Sequence, residues 1–176
     1  MNTGKKVIGG IVLASIIILV GSVWLLTVQG AKEQAKLSKP LMGDEIADLG
    51  RNHVPDGTQL QYNSNPPTSG PHYARSQPGG IYDQPVPDGN LIHGMEHGAV
   101  ILWYKLDIPA TESAQLKSIF NSVPVSKKIM IPRDNLNVPV ALTSWGRLLK
   151  LQTIDEGQIK AFMETNEDRG PEKAPL

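Results

Sequence analysis

From Val7 to Ala31 the chain runs for 25 residues without a charged side chain, bounded by Lys6 and Lys32. As a helix this run would extend roughly 37 Å at about 1.5 Å per residue, enough to cross a hydrocarbon core about 30 Å thick. It predicts a transmembrane signal-anchor helix over 7–31, with Trp24 near the outer end, where an indole favours the membrane interface. Lys5, Lys6 and the amino terminus favour a cytoplasmic segment 1–6, against the opposing pull of Lys32, Lys36 and Lys39. A cleaved signal peptide is the rival reading, with Val28 and Gly30 small enough to precede a cut before Ala31. The apolar run exceeds the usual signal-peptide core of about 7–15 residues, which favours the anchor. Both readings place the remainder outside the cytoplasm, and the anchor makes this a single-pass protein of the cell membrane.

With 176 residues the chain has room for one domain beyond that helix. Setting aside Lys5 and Lys6 leaves 15 basic residues against 17 acidic ones, a formal net charge of −2. A nucleic-acid binder would show a clustered basic excess, so that class is excluded. There are no cysteines. An extracytoplasmic domain without disulfides holds by core packing, alone or helped by a bound metal, and thiolate is removed from any catalytic or metal-binding scheme.

Residues 32–50 are polar and partly helix-prone with a break at Pro40, and read as a tether to a globular domain over 51–172, followed by a tail at 173–176. From Arg51 to Asn90 the chain is dense in turn residues: Asp56-Gly57, Asn65-Pro66-Pro67, Gly70-Pro71, Pro78-Gly79-Gly80 and Asp88-Gly89-Asn90. A structureless loop of that length is uncommon inside a compact domain, so an ordered Pro/Gly-rich loop with a function is expected, with short strands around Gln59–Tyr62 and Gly80–Tyr82. After Gly98 the pattern changes. Ala99–Tyr104 is a short continuous apolar run and predicts a buried strand. Pro109 and Thr111 open a helix of about three turns whose stripe is Leu116, Ile119, Phe120 and Val123. Lys128–Ile131 predicts a strand ended by Pro132, and Val138–Ser144 with Arg147–Gln152 predict a hairpin turning at Trp145-Gly146. Asp155 with Gln158 forms a capping box for a last helix facing the core through Ile159, Phe162 and Met163. The expected class is α+β: a small, mostly antiparallel sheet, two helices and the large ordered loop, preceded by the transmembrane helix.

All four histidines lie between positions 53 and 97, none in the strand-and-helix half. His93 and His97 fall in His93-Gly94-Met95-Glu96-His97-Gly98. Imidazoles four apart share one face of a helix, and an even spacing also shares one face of a strand. Met95 points elsewhere in a strand, but an irregular backbone at Gly94 and Gly98 would let its thioether turn inward. Imidazole with thioether and no thiolate suits copper in an oxidising space, and zinc would accept three histidines with Glu96 or water. The candidate metal ligands are His72, His93, His97, His53, Glu96 and Met95, with copper preferred to zinc. The alternative is that the imidazoles fasten turns by bonding backbone carbonyls.

The segment also matches the pattern H-x-x-E-H of one class of zinc metallopeptidases, although that pattern needs a helix of several turns. Ser69 lacks nucleophile-elbow spacing, and the glycines of Pro78-Gly79-Gly80 lack the Lys of a phosphate loop. Trp103, Tyr104 and Trp145 read as core, and Arg169-Gly170-Pro171-Glu172 as a tail clamp.

Gly50-Arg51-Asn52-His53, Asn65-Pro66-Pro67-Thr68-Ser69-Gly70-Pro71-His72-Tyr73 and His93–Gly98 with the following strand resemble the bacterial and archaeal family called domain of unknown function 3105. Ala141–Arg147 and Arg169–Glu172 fit it too, so the resemblance covers about residues 45–172. It implies a short membrane-anchored or exported protein, with histidines at the positions of His53, His72, His93 and His97 and a glutamate at Glu96 acting as one site. Gly94-Met95 stands where the family more often has Ser-Leu or Asn-Leu, which implies that Met95 is not an essential ligand. The resemblance implies no activity.

Three functions compete on this reading: a module that binds and hands on a metal at the membrane, a zinc hydrolase using Glu96, and a non-catalytic envelope interaction module with structural histidines. The first requires the imidazoles to converge, the second an open cleft beside the histidines and an unfilled coordination position, and the third separate backbone fastenings.

Overall fold

The computed structural model describes residues 3–176, in two compact units divided after Pro40. The first is one helix, α1 (Thr3–Ser38), of which Val7–Ser38 is long and apolar enough to cross a membrane. It outruns the expected boundary at Ala31 and stops just before Pro40, whose ring cannot continue a helix. Of the segment 1–6 expected in the cytoplasm, residues 1–2 lie outside the described residues.

The second unit contains a six-stranded sheet: β1 (Asp44–Glu45), β4 (Gly80–Ile81), β5 (Val100–Lys105), β6 (Lys128–Arg133), β7 (Val140–Ser144) and β8 (Arg147–Leu151). Their order is β1-β8-β7-β5-β6-β4, and a separate pair joins β2 (His53–Val54) to β3 (His72–Tyr73). The pairings from β1 through β5 are antiparallel, whereas β5 with β6 and β6 with β4 are parallel. The sheet is thus mostly antiparallel and the class α+β. The helices are α2 (Asp88–Glu96), α3 (Ala110–Ser122) and α4 (Glu156–Asn166), one more than expected.

The apolar run Val100–Tyr104 is the central strand and is buried on both faces. Its alternation divides the core: Val100, Leu102 and Tyr104 join Leu116, Ile119 and Phe120 of α3 and Ile159, Phe162 and Met163 of α4. Ile101 and Trp103 point the other way, into a second cluster with Leu91, Ile92 and Met95 of α2. Two helices therefore cover one face of the sheet, and α2 with the Pro/Gly-rich segment covers the other.

Local details amend several expectations. Asp44 and Glu45, expected within a tether over 32–50, join the sheet by pairing with Leu148 and Arg147. No strand forms at Gln59–Tyr62. β6 runs through Pro132 to Arg133. Met130 turns its carbonyl to Tyr82 N at 2.8 Å on the β4 side, and Pro132, two residues on, faces that side where β4 has ended, so its missing N–H leaves no partner unsatisfied. At α4, Asp155 accepts from Gln158 N at 2.9 Å as a cap should, but Gln158 Nε2 returns to the Asp155 carboxylate at 2.8 Å rather than to its backbone.

Candidate metal centre

Two devices bring the histidines together. In the parallel pair β2–β3, His53 lies beside His72, and their ring centroids are 4.8 Å apart. The His72 amide belongs to the ladder, donating to Asn52 O at 3.0 Å. The other device is α2, on which His93, Glu96 and the C-capping His97 fall at i, i+3 and i+4 and so share a face. His93 stacks on His53 at 4.8 Å between centroids and lies 5.1 Å from His72 and 4.5 Å from His97.

The segment His93–His97 is therefore helical rather than irregular, and this decides the place of Met95. Two residues round a helix is about 200°, so Met95 faces away from the imidazoles. It is fully buried in the apolar cluster with Leu91, Ile92 and Ile129, and its thioether is core.

Both ends of α2 are clamped. Its N-cap, Pro87, offers no side-chain bond. Instead Arg133 grips Asp88 of the first turn with two bonds, Nη1–Oδ1 at 2.6 Å and Nη2–Oδ2 at 3.0 Å. At the other end the C-terminal segment wraps the helix. Glu172 N donates to Glu96 O at 3.0 Å, Asp168 N to Gly98 O at 2.8 Å, and Lys127 Nζ bridges His97 O, Asp168 Oδ1 and Ala174 O at 2.6–2.8 Å. The approach is so close that a Cβ on Gly170 would overlap the carbonyl oxygens of Glu96 and Met95. Gly98, at φ +93°, makes the turn from helix to β5 directly beneath Asp168.

The imidazoles are oriented by backbone carbonyls, which only accept. His72 Nδ1 donates to Gly70 O at 2.8 Å, His93 Nδ1 to Tyr73 O at 2.7 Å and His97 Nδ1 to Pro175 O at 2.7 Å. In each ring Nε2 is left as the electron-pair donor, the arrangement by which proteins hold metal-binding histidines. His93 Nε2 and His97 Nε2 then lie 3.0 Å apart, lone pair to lone pair. His72 Nε2 meets Glu96 Oε2 at 3.0 Å, again acceptor to acceptor, and His53 Nε2 is 3.6 Å from the same oxygen. Each contact calls for a proton or a cation between its atoms.

For His93 the environment disfavours the proton. Burial lowers its pKa, and the neighbouring histidines lower it further against the opposing pull of the Tyr73 carbonyl. His72, His93 and Glu96 are buried, His97 is 13 % exposed, and His53 at 49 % opens the cluster to solvent. The Glu172 carboxylate stands 3.9 Å from His97 Nε2, and the Trp145 ring lies 6.3 Å from that of His72.

The four histidines and Glu96 thus come together, while Met95 does not. The carbonyls of Gly70, Tyr73 and Pro175 were not foreseeable, since any residue can supply one. Pro175 lies in what reads as a tail. Ser69 has a structural task, its hydroxyl accepting from Leu49 N at 3.1 Å.

These features define a class: an α+β domain following a candidate membrane-spanning helix, with a histidine–glutamate cluster on one face of its sheet. The chain belongs to the family described as protein of unknown function (DUF3105), whose profile matches residues 53–175. No curated protein and no solved structure matches it.

Proposed function

We propose that the domain is anchored by α1 on the extracytoplasmic side of the membrane and binds a divalent transition metal, Cu(II) ahead of Zn(II), through the histidine cluster. The observation that carries this is the 3.0 Å separation of His93 Nε2 and His97 Nε2 with both Nδ1 atoms committed to carbonyls. Two nitrogens bound to one ion at about 2.0–2.1 Å are about 2.9–3.4 Å apart for angles from square to tetrahedral, so the pair is spaced for a shared ion. With Met95 in the core the donors are imidazole nitrogen and carboxylate oxygen, a set suited to Cu(II) and Zn(II), of which Cu(II) binds more tightly. The role is to hold the ion at the membrane surface and hand it on.

The backbone bonds foreseen for purely structural histidines are present, but on this reading they set the tautomers of a convergent cluster. The hydrolase gains no support, because Glu96 Oε2 is engaged with His72 rather than directed at a free coordination position.

The test is metal content. Full-length chain without a histidine affinity tag, purified in detergent, is offered CuCl2 or ZnCl2 and dialysed, beside the His93→Ala/His97→Ala variant. The expected result is near-stoichiometric metal on the wild type, copper displacing zinc, and loss of metal from the variant. A folded wild type that retains neither ion would refute the proposal.

A further inference from the structure

We infer that the cluster provides two overlapping seats for a single ion, and that the ion exchanges between them; this rests on the metal-binding reading above. The ligand atoms of His53, His72 and His93 lie within 4.8 Å of one another, and so do those of His93, Glu96 and His97. Ligands of one ion at about 2.0–2.1 Å stand at most about 4.2 Å apart, so each trio closes on an ion through small side-chain shifts. His93 belongs to both trios.

The sharing excludes simultaneous occupation. His93 has one nitrogen to give, because Nδ1 donates to the Tyr73 carbonyl, and that nitrogen serves one ion at a time. Glu96 is shared as well: besides its place in the second trio, its Oε2 reaches His72 and His53 at 3.0 and 3.6 Å. Two dications would bring four positive charges beside one buried carboxylate and the half-exposed Glu172, too little negative charge to hold both in a site largely withdrawn from water.

The seats differ in kind. The first is built of three imidazoles and includes the solvent-exposed His53. The second has two imidazoles and the Glu96 carboxylate, next to Glu172 on the C-terminal segment. An ion passing between them changes partners without leaving His93. This is the transfer step that a protein receiving an ion on one side and releasing it on another requires.

The experiment is Cu(II) titration of the full-length chain in detergent, counting equivalents and recording electron paramagnetic resonance spectra, for the wild type, His53→Ala, His97→Ala and His93→Gln. Near-ultraviolet circular dichroism verifies the fold of each. The wild type is expected to take a single equivalent and to show two overlapping copper signals. His53→Ala and His97→Ala each keep a single equivalent and one signal, different in the two variants. His93→Gln loses both signals, its affinity falling beyond about 100-fold, the most that loss of a merely supporting group costs. Two equivalents on the wild type, one indivisible signal, or complete loss of copper in His53→Ala or His97→Ala would overturn the two-seat arrangement while leaving metal binding intact. No copper on the folded wild type would overturn the metal reading itself.

Discussion

At Glu96 a single carboxylate, almost wholly buried, faces a histidine whose other nitrogen is already committed to a carbonyl. Its charge and its shape can be separated by substitution. In Glu96→Gln the amide donates to His72 Nε2, so the pair is satisfied without a charge. The variant is expected to unfold in urea close to wild type but to bind Cu(II) about 10–100-fold more weakly, the usual loss when a group supporting a metal is altered. Glu96→Ala leaves His72 Nε2 without a partner in the interior, and the urea midpoint should fall by the equivalent of about 1–3 kcal/mol. If Gln and Ala destabilise alike, the contact between Glu96 and His72 is not what holds this part of the core.

Among the elements, α2 is where the sequence was hardest to read. Gly89 and Gly94 weaken its helical propensity, and Asp88-Gly89-Asn90 has the composition of a turn. The glycines answer to neighbours rather than to the local backbone. A Cβ on Gly89 would meet the Tyr73 ring at 2.7 Å, and one on Gly94 would meet Leu176 at 3.1 Å. Such contacts exist only in the folded molecule, so no local pattern announces them. β5, α3, α4 and the Trp145-Gly146 hairpin were legible because their signals are local: an apolar run, a stripe of period 3.6, an N-cap, a two-residue turn. The parallel β5–β6 pairing was not, since it depends on where α3 returns the chain. The same dependence on neighbours yields a prediction: Gly170→Ala forces the tail off the end of α2 and should cost about 1–3 kcal/mol in urea denaturation, with weakened copper binding, as overpacking does. At α4 the bonds from Gln158 hold the Asp155 pKa below its usual value. A lowered folded pKa gives stability that is present above the unfolded value, about 3.9, and is lost as pH falls through the folded one. Asp155→Asn, which keeps the cap but cannot titrate, should flatten that part of the acid limb in urea midpoints measured from pH 5 to pH 2.

At the level of the whole molecule, the long apolar helix and the cluster were both legible, one from uncharged length and the other from four histidines crowded into the first part of the domain. What closes the cluster was not, because Pro175 and Glu172 come from the far end of the sequence. The proposed orientation predicts that protease added to spheroplasts digests the domain beyond Pro40 while an epitope placed before Lys5 survives until the cells are lysed. Protection of the domain in intact spheroplasts would reverse that orientation.

The family profile begins at His53 and ends at Pro175, the first imidazole of the cluster and the carbonyl that fixes the last. A chain emerging in order from its ribosome, or threading in order across a membrane, displays His53, His72, His93 and His97 early, yet His97 stays unaligned until residues 168–175 have closed around α2. On the two-seat reading, ions met before then find at most the seat of His53, His72 and His93, while the seat that uses His97 is unfinished. On that reading the second seat is completed late in the life of the chain, a seal on a finished fold rather than the nucleus from which folding starts.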